Sequence, residues 1–186
     1  MDALKALQSR VSSARLVEPG PTKKALESIK KAALRAADHG RLRPWRFLVI
    51  EGEGREKLGD LFVVAEKHRA MDLNEKVSQI IFKKAMRAPT IIVVVACIKQ
   101  HPRVPEIEQL ISAGAAAQNM LNAAYALDLG AIWRTGDIAY DSTFSKKLGL
   151  DANEKIVGFL YLGTAPDGLR TKTPQLNTTD FFKSWP

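Results

Sequence analysis

Arg134, Thr135 and Gly136 form a group of residues suited to contact a polar ligand. An arginine carries several hydrogen-bond donors, a threonine hydroxyl donates and accepts, and a glycine lets a ligand approach the backbone. The group follows residues 131–133, whose apolar side chains predict a short buried strand that ends at Trp133. Because ligands gather at strand ends in α/β sheets, the segment predicts a ligand contact. A surface ion pair for Arg134 and a core position for Trp133 are the alternatives.

A second polar group lies near the N-terminus, where residues 10–15 include Arg10, Ser12, Ser13 and Arg15. Arginine binds a phosphate through charge-assisted hydrogen bonds, and a serine hydroxyl adds a further bond. The composition therefore permits a phosphate site. A polar helix end explains the same residues, and composition alone does not choose between the two.

The element that must position these groups is an alanine-rich helix, which begins after a turn at residues 102–105 and ends near Gly130. Residues 112–129 are nearly free of charge, so the helix is predicted to be apolar all round and buried. Alanine favours helix formation and lets neighbouring backbones approach closely. We therefore expect the other elements to pack around this helix.

Hydrophobic periodicity and turn residues predict the remaining elements. A break between two of the helices is predicted at Met71, Asp72 and Leu73. The pattern predicts one α+β domain over residues 1–186, with a mixed sheet of four or five strands flanked by helices. The predicted helices are residues 2–9, 23–37, 55–69, 74–87 and 141–148, and the predicted strands are residues 46–51, 91–98, 131–133 and 154–163.

The formal net charge of +8 over 186 residues raises the question of nucleic-acid binding. The basic residues are scattered, acidic residues lie between them, and no aromatic side chains alternate with them as in single-strand binders. We therefore predict no nucleic-acid partner. A positive field would still attract anionic cofactors.

Several other classes of protein are also disfavoured by composition. The only cysteine, Cys97, lies within an apolar run and is predicted to be a core residue, as in a cytoplasmic protein. The histidines His39, His68 and His101 are dispersed, so no metal site is predicted. The longest apolar run, residues 91–98, is shorter than the ~20 residues of a membrane helix. The glycines of residues 51–54 predict a turn, because the complete dinucleotide-binding pattern is missing.

Several segments, taken together and in order, resemble the nitroreductase family of FMN-dependent oxidoreductases, particularly its short members with little lid structure. The helix AGAAAQNMLNAAYALDLG followed by AIWRTG carries the main resemblance. DALKALQSR, RAADHGRLRPWRFLVIEGEGRE and KIVGFLYLGTAP extend it over nearly the whole chain. The resemblance implies a nitroreductase-like fold, FMN as cofactor, NAD(P)H as electron donor and a homodimer with flavin sites built by both subunits.

Members of this family carry an R-R-S-type run that holds the FMN phosphate. Arg10 and Ser12 match that run, whereas Val11 stands where the family has a second arginine. One side-chain contact to the phosphate is therefore missing, although the backbone N–H of Val11 remains a donor. This departure motivates an alternative hypothesis, a protein of the same fold that binds flavin weakly or not at all and acts as a binding module.

The resemblance also implies flavin contacts elsewhere in the chain. Arg35 and His39 lie in a segment that touches the flavin ring and ribityl chain in related proteins, and Trp133, Arg134 and Thr135 would line the ring. Ala37 and Arg43 differ from the proline and glutamine that are common in relatives, which implies a different loop shape.

The implied reaction is hydride transfer from NAD(P)H through FMN to an acceptor such as a nitroaromatic or a quinone. No residue is assigned as a catalytic acid or base, since the cofactor carries the hydride chemistry. Phe181, Phe182 and Trp185 near the C-terminus are expected to dock on an apolar surface, either of their own subunit or across the dimer interface.

Overall fold

The computed structural model describes residues 1–69, 73–166 and 172–185. It contains one four-stranded sheet with the strand order β1-β2-β4-β3. Every pair of neighbouring strands is antiparallel. The α+β class is confirmed. The strands are β1 (Trp45–Glu51), β2 (Thr90–Cys97), β3 (Gly130–Arg134) and β4 (Glu154–Gly163).

The sheet differs from the expected mixture of parallel and antiparallel strands. Both edges of β2 are occupied by antiparallel partners, and β3 pairs antiparallel with the outer edge of β4. No parallel pair therefore occurs among the described strands. Hydrophobic patterning locates strands but does not reveal the direction in which they pair.

Among the described residues, six helices surround this sheet, and most begin or end within a few residues of the predicted bounds. The chief differences are two helices that end earlier than predicted. The second helix ends at Ala33 rather than at residue 37, so that Arg35 lies in the turn after it, and the fourth ends at Phe82 rather than at residue 87 and is followed by a 3₁₀ turn. Of the predicted break, Met71 and Asp72 lie outside the described residues, and Leu73 lies in the loop before the fourth helix. The helices are α1 (Ala3–Ser9), α2 (Lys23–Ala33), α3 (Glu53–Arg69), α4 (Glu75–Phe82), α5 (Glu106–Ala126) and α6 (Ser142–Lys147). Short 3₁₀ turns cover His39–Arg41, Lys83–Met86, Asp137–Tyr140 and Thr178–Asp180.

Strand β2 lies at the centre of the core because its β-branched side chains are buried on both faces of the sheet. On one face, α3 and α6 pack over three aromatic rings, Phe62, Phe144 and Phe159, whose centroids lie 5.5–6.1 Å apart. On the other face, α2 and α5 contribute Ile29 and Met120 to a second cluster. The sheet therefore separates two apolar layers.

Helix α5 is buried on one face and exposed on the other, which corrects the prediction that it is buried all round. Ala113, Ala117 and Met120 face the sheet and are almost fully buried. Ile107 and Ile111, by contrast, have exposed fractions of 59% and 63%. The single chain thus leaves an apolar stripe of its central helix uncovered. No helix among the described residues is long and apolar enough to cross a membrane.

Candidate functional site

The N-terminal segment that carries Arg10, Val11 and Ser12 lies along the outer edge of β3. The backbone N–H of Ser13 donates to the carbonyl oxygen of Ala131 over 2.9 Å. Three residues on, Leu16 packs so close to Gly130 that a methyl group there would lie 2.5 Å from Leu16 Cδ2. This packing brings Arg10, Val11 and Ser12 to the strand that carries Trp133 and Arg134.

Trp133 is a packing residue as well as a candidate ligand contact. Its indole Nε1 donates to the carbonyl oxygen of Val157 over 3.3 Å, and its ring reaches α5 at Gly114. The ring lies against Gly158, where a Cβ atom would overlap Nε1. Gly158 therefore lets β3 pack closely against β4 and fixes its position.

Arg134 points to the opposite face of the sheet from Trp133, since side chains alternate along a strand. It pairs with Phe159 across β3 and β4. Its Nε atom is buried and has no hydrogen-bond acceptor among the described residues. A buried donor without an acceptor lowers the stability of the fold by about 1–3 kcal/mol. An anionic ligand that accepts a hydrogen bond from Nε would remove this penalty. The sequence-predicted role of Arg134 as a ligand contact thus fits its surroundings.

A cavity of about 510 Å³ opens beside Arg134, between β3–β4, α3 and the turn Lys83–Met86. Trp133, Arg134 and Thr135, all predicted from the sequence, contribute to its lining. The remaining lining comes from distant parts of the chain. Its apolar part includes Phe62, Ile81, Phe159 and Tyr161, and its basic part includes Arg69, Lys84 and Arg87.

The acidic side chains on the lining lie next to Arg69. Arg69 Nη2 donates to Asp137 Oδ2 over 2.7 Å, and its Nη1 lies 3.6 Å from Glu66 Oε2. The hydrogen bond to Asp137 raises the pKa of Arg69 above its ordinary value. Lys84, Arg87 and Arg134 form no ion pair with any residue that the structure describes. The cavity wall around these three residues is therefore positively charged.

Tyr161 lies under the basic residues and is only 4% exposed. Burial raises the pKa of Tyr161, while Arg87 and Arg134 partly oppose that shift. Its hydroxyl is thus protonated at neutral pH and can donate a hydrogen bond to a ligand in the cavity.

Arg35 and His39 lie on the face of the sheet opposite the cavity, near the N-terminal half of α5. His39 Nδ1 lies 2.6 Å from Glu108 Oε2, and Ser112 Oγ donates to the carbonyl oxygen of Ala37 over 2.6 Å. Both Arg35 and His39 are exposed. Within the described parts of the chain, no hydrogen bond or ion pair joins these two side chains to Arg10 or Ser12. Among the described residues, the structure thus shows no direct contact between these two predicted side chains and Arg10 or Ser12.

Sequence reasoning missed Lys84, Arg87 and Tyr161. They come from a 3₁₀ turn, from the residue after it and from β4, and only the three-dimensional packing brings them together. Arg87 lies shortly before a buried strand, and Tyr161 lies among the apolar residues of β4. In the sequence, each residue is therefore explained by its structural position alone. No spacing in the chain signals the cavity.

A partly buried ion pair lies at the far end of the sheet, between Arg46, whose side chain is 36% exposed, and Glu154. Arg46 Nε and Nη2 donate to the two carboxylate oxygens over 2.5 and 2.6 Å. Arg46 lowers the pKa of Glu154 to about 2. Cys97 donates its thiol hydrogen to Glu154, and burial together with this contact raises the pKa of Cys97 to about 11. Cys97 is a half-buried residue at the edge of the core, less enclosed than the sequence predicted.

Comparison with known proteins agrees with this fold. The nitroreductase family matches residues 10–164. The protein named "Putative NAD(P)H nitroreductase YdjA" from Escherichia coli strain K12 is 43% identical over 164 residues, which cover 88% of each chain. A nitroreductase-like family protein from Bacillus cereus superposes with a TM-score of 0.85 at 24% identity, over 100% of this chain and 96% of that chain.

A nitroreductase from Bacteroides fragilis, whose crystal structure contains FMN, has a TM-score of 0.75 at 17% identity over the full length of both chains. The fold is therefore that of the nitroreductases. The chain belongs to the nitroreductase family, because the family match covers most of its length and includes both Arg10 and Arg134.

Proposed function

We propose that the chain is an FMN-dependent oxidoreductase that transfers hydride from NAD(P)H through FMN to an organic acceptor such as a nitroaromatic or a quinone. Family membership and the name of the Escherichia coli relative support this activity. FMN, which is bound in the Bacteroides fragilis structure, would supply the hydride chemistry. The protein would supply binding, orientation and charge.

The observation that carries the proposal is the bond from the Ser13 N–H to the Ala131 carbonyl. This bond attaches the segment that carries the cation of Arg10, the backbone N–H of Val11 and the hydroxyl of Ser12 to the strand of Trp133. A cation with neighbouring N–H and O–H donors fits a phosphate group. These residues would hold the FMN phosphate, and the strand end at Trp133 would lie beside the ring.

We further propose that two subunits complete the site. Arg35 and His39 make no direct contact with Arg10 among the described residues, and the family resemblance implies a flavin site built by both subunits. Exposed apolar side chains on α1, α5 and the C-terminal segment support a homodimer. They are Leu4, Leu7, Ile107, Ile111, Phe181, Phe182 and Trp185, with exposed fractions from 58% to 93%.

Each subunit, residues 1–186, would form a single flavin-binding domain. The lone cysteine motivates the further prediction of a cytoplasmic location. Fractionation of cells that express the protein from its own gene would test this prediction.

An absorption spectrum of the purified protein, with and without added FMN, tests the proposed activity. We expect a bound flavin spectrum that bleaches when NADH or NADPH is added without oxygen, and that returns when a quinone is added. The nucleotide that bleaches the flavin faster identifies the donor. If no flavin binds even at a large excess of FMN, the activity is refuted and the binding-module alternative, motivated by Val11, takes its place.

A further inference from the structure

The cavity beside Arg134 has the size and lining of a small-molecule site. Its volume of about 510 Å³ lies within the ~300–1,000 Å³ range of ligand pockets. It reaches Trp133, Arg134 and Thr135, the residues expected to lie beside the flavin ring, but Arg10 and Ser12 are not part of its lining. A molecule in this cavity would therefore lie next to the proposed flavin site without occupying the proposed phosphate site.

The charged side chains on the cavity lining favour a negatively charged ligand. Lys84, Arg87 and Arg134 converge on the cavity without an acidic partner among the described residues. The acids Glu66 and Asp137 are both paired with Arg69. Arg134 Nε is also a buried donor without an acceptor in the described structure. A bound anion would satisfy this donor and compensate the surplus positive charge.

The shape and polarity of the lining favour an aromatic carboxylate. Planar guanidinium groups, as in Arg87 and Arg134, match a planar carboxylate, and the buried Tyr161 hydroxyl adds a donor. Phe62 and Phe159 form an edge-to-face pair with ring centroids 5.7 Å apart. An aromatic ligand would extend this cluster, since such ring contacts are favourable.

We propose that this cavity binds a small aromatic carboxylate, with its carboxylate at Lys84, Arg87 and Arg134 and its ring at the apolar part of the lining. When it also carries a nitro group, such a molecule would be the electron acceptor of the enzyme: the hydride that NAD(P)H supplies through FMN, together with one proton from water, would convert the nitro group to a nitroso group and release one water molecule, leaving NAD(P)+. The acceptor role rests on the proposed FMN-dependent activity, whereas the binding step does not.

Binding is tested by calorimetric titration of the purified protein, with whatever flavin it holds, using para-nitrobenzoate. The neutral para-nitrobenzamide is the matched control ligand, and phenyl phosphate tests for a phosphate site. We expect the carboxylate to bind at least about tenfold more tightly than the amide and more tightly than the phosphate. Equal binding of acid and amide, or a preference for phenyl phosphate, would overturn the proposal.

Substitutions in the cavity lining then test whether the carboxylate binds there. Arg87→Gln should weaken binding of para-nitrobenzoate about tenfold and leave both the affinity for the amide and the flavin content unchanged. Lys83→Gln is the control, because Lys83 lies on the same turn but not in the lining. Loss of flavin in Arg87→Gln, with normal flavin in Lys83→Gln, would show that the cavity belongs to the flavin site and would refute a separate carboxylate site.

Steady-state kinetics test the acceptor role separately. Arg87→Gln should raise KM for para-nitrobenzoate about tenfold and leave KM for para-nitrobenzamide unchanged. If NAD(P)H reduces the flavin but neither compound reoxidises it, the acceptor role is wrong although the hydride step is present. If no flavin is reduced at all, the proposed activity fails instead, and the titration still decides whether the carboxylate binds.

Discussion

Val11 is the residue at which this chain departs from the R-R-S-type run proposed to hold the FMN phosphate. Val11 is half-buried and adjoins Arg10, in the segment that Ser13 attaches to β3. An arginine at position 11 would add a charge-assisted contact to the phosphate. We expect Val11→Arg to tighten FMN binding by about tenfold, or ~1.4 kcal/mol, in a fluorescence titration of the apoprotein.

Val11→Lys, measured in the same titration, distinguishes the effect of the added charge from that of the donor geometry. Lysine adds a positive charge but lacks the planar pair of donors of an arginine. It should give a smaller gain than Val11→Arg. If the arginine variant binds FMN no better than the original protein, residues 10–12 do not hold the phosphate as proposed.

Glu154 provides a second prediction at the scale of single residues. Its side chain is 7% exposed, and its pKa is lowered from 4.5 to about 2, chiefly by Arg46. A lowered native-state pKa means that the carboxylate stabilises the fold above pH ~5 and loses this effect as the pH falls towards 2. Glu154→Gln should therefore reduce the free energy of unfolding by ~1–3 kcal/mol at pH 7 and by less at pH 3.

Urea unfolding at both pH values measures this difference. Glu27→Gln is the matched control, since Glu27 is 57% exposed and lies 4.0 Å from Lys31. The control should change stability little at either pH. If Glu154→Gln lowers the free energy of unfolding as much at pH 3 as at pH 7, the ion pair is not the cause of the lost stability.

Among the elements, the contact between β3 and β4 is set by a glycine. Gly158 leaves room for the indole of Trp133, and any Cβ there would overlap Nε1. Gly158→Ala should displace Trp133, reduce the free energy of unfolding by ~1–3 kcal/mol and shift tryptophan fluorescence to longer wavelength. Chemical unfolding monitored by fluorescence gives both values.

Gly114→Ala is a control at the same indole ring. A Cβ atom at Gly114 would lie 3.7 Å from Trp133 Cη2, which is an ordinary contact, and alanine favours the helix. This variant should be as stable as the original protein or slightly more stable. An equal loss in the free energy of unfolding for both variants would mean that the indole ring adjusts freely. Gly158 would then not be needed to position β3.

The elements also show what the sequence could predict. The alternating and β-branched pattern predicted β4 as Glu154–Gly163 and located β2 within one residue, because burial in a sheet requires those side chains. The pairing directions and the exposed face of α5 were not predictable, since they depend on contacts between distant segments. The same limit applies to the cavity: Arg134 stands out at a strand end, whereas Arg87 and Tyr161 acquire meaning only when packed beside it.

The molecule as a whole leaves apolar surface uncovered on elements that are far apart in the sequence. Helices α1 and α5 contact each other, and each presents large exposed apolar side chains, Leu4 and Leu7 on α1 and Ile107 and Ile111 on α5. In the C-terminal segment, Trp185 is 93% exposed. Contiguous exposed apolar surface marks an interaction site. A second copy of the chain would cover it and would also bring Arg35 and His39 to the flavin.

Substitution of Ile111 by aspartate tests this arrangement, because a charge in the centre of the proposed interface opposes association. We expect Ile111→Asp to sediment as a monomer and to lose most of its bound FMN, since Arg35 and His39 would then be absent from the site. Ile80→Asp is the control, because Ile80 is similarly exposed at 55% but lies on α4, away from α5. It should remain dimeric and yellow. A monomeric Ile111→Asp protein with full flavin content would show that one subunit builds the whole site, and that Arg35 and His39 act elsewhere.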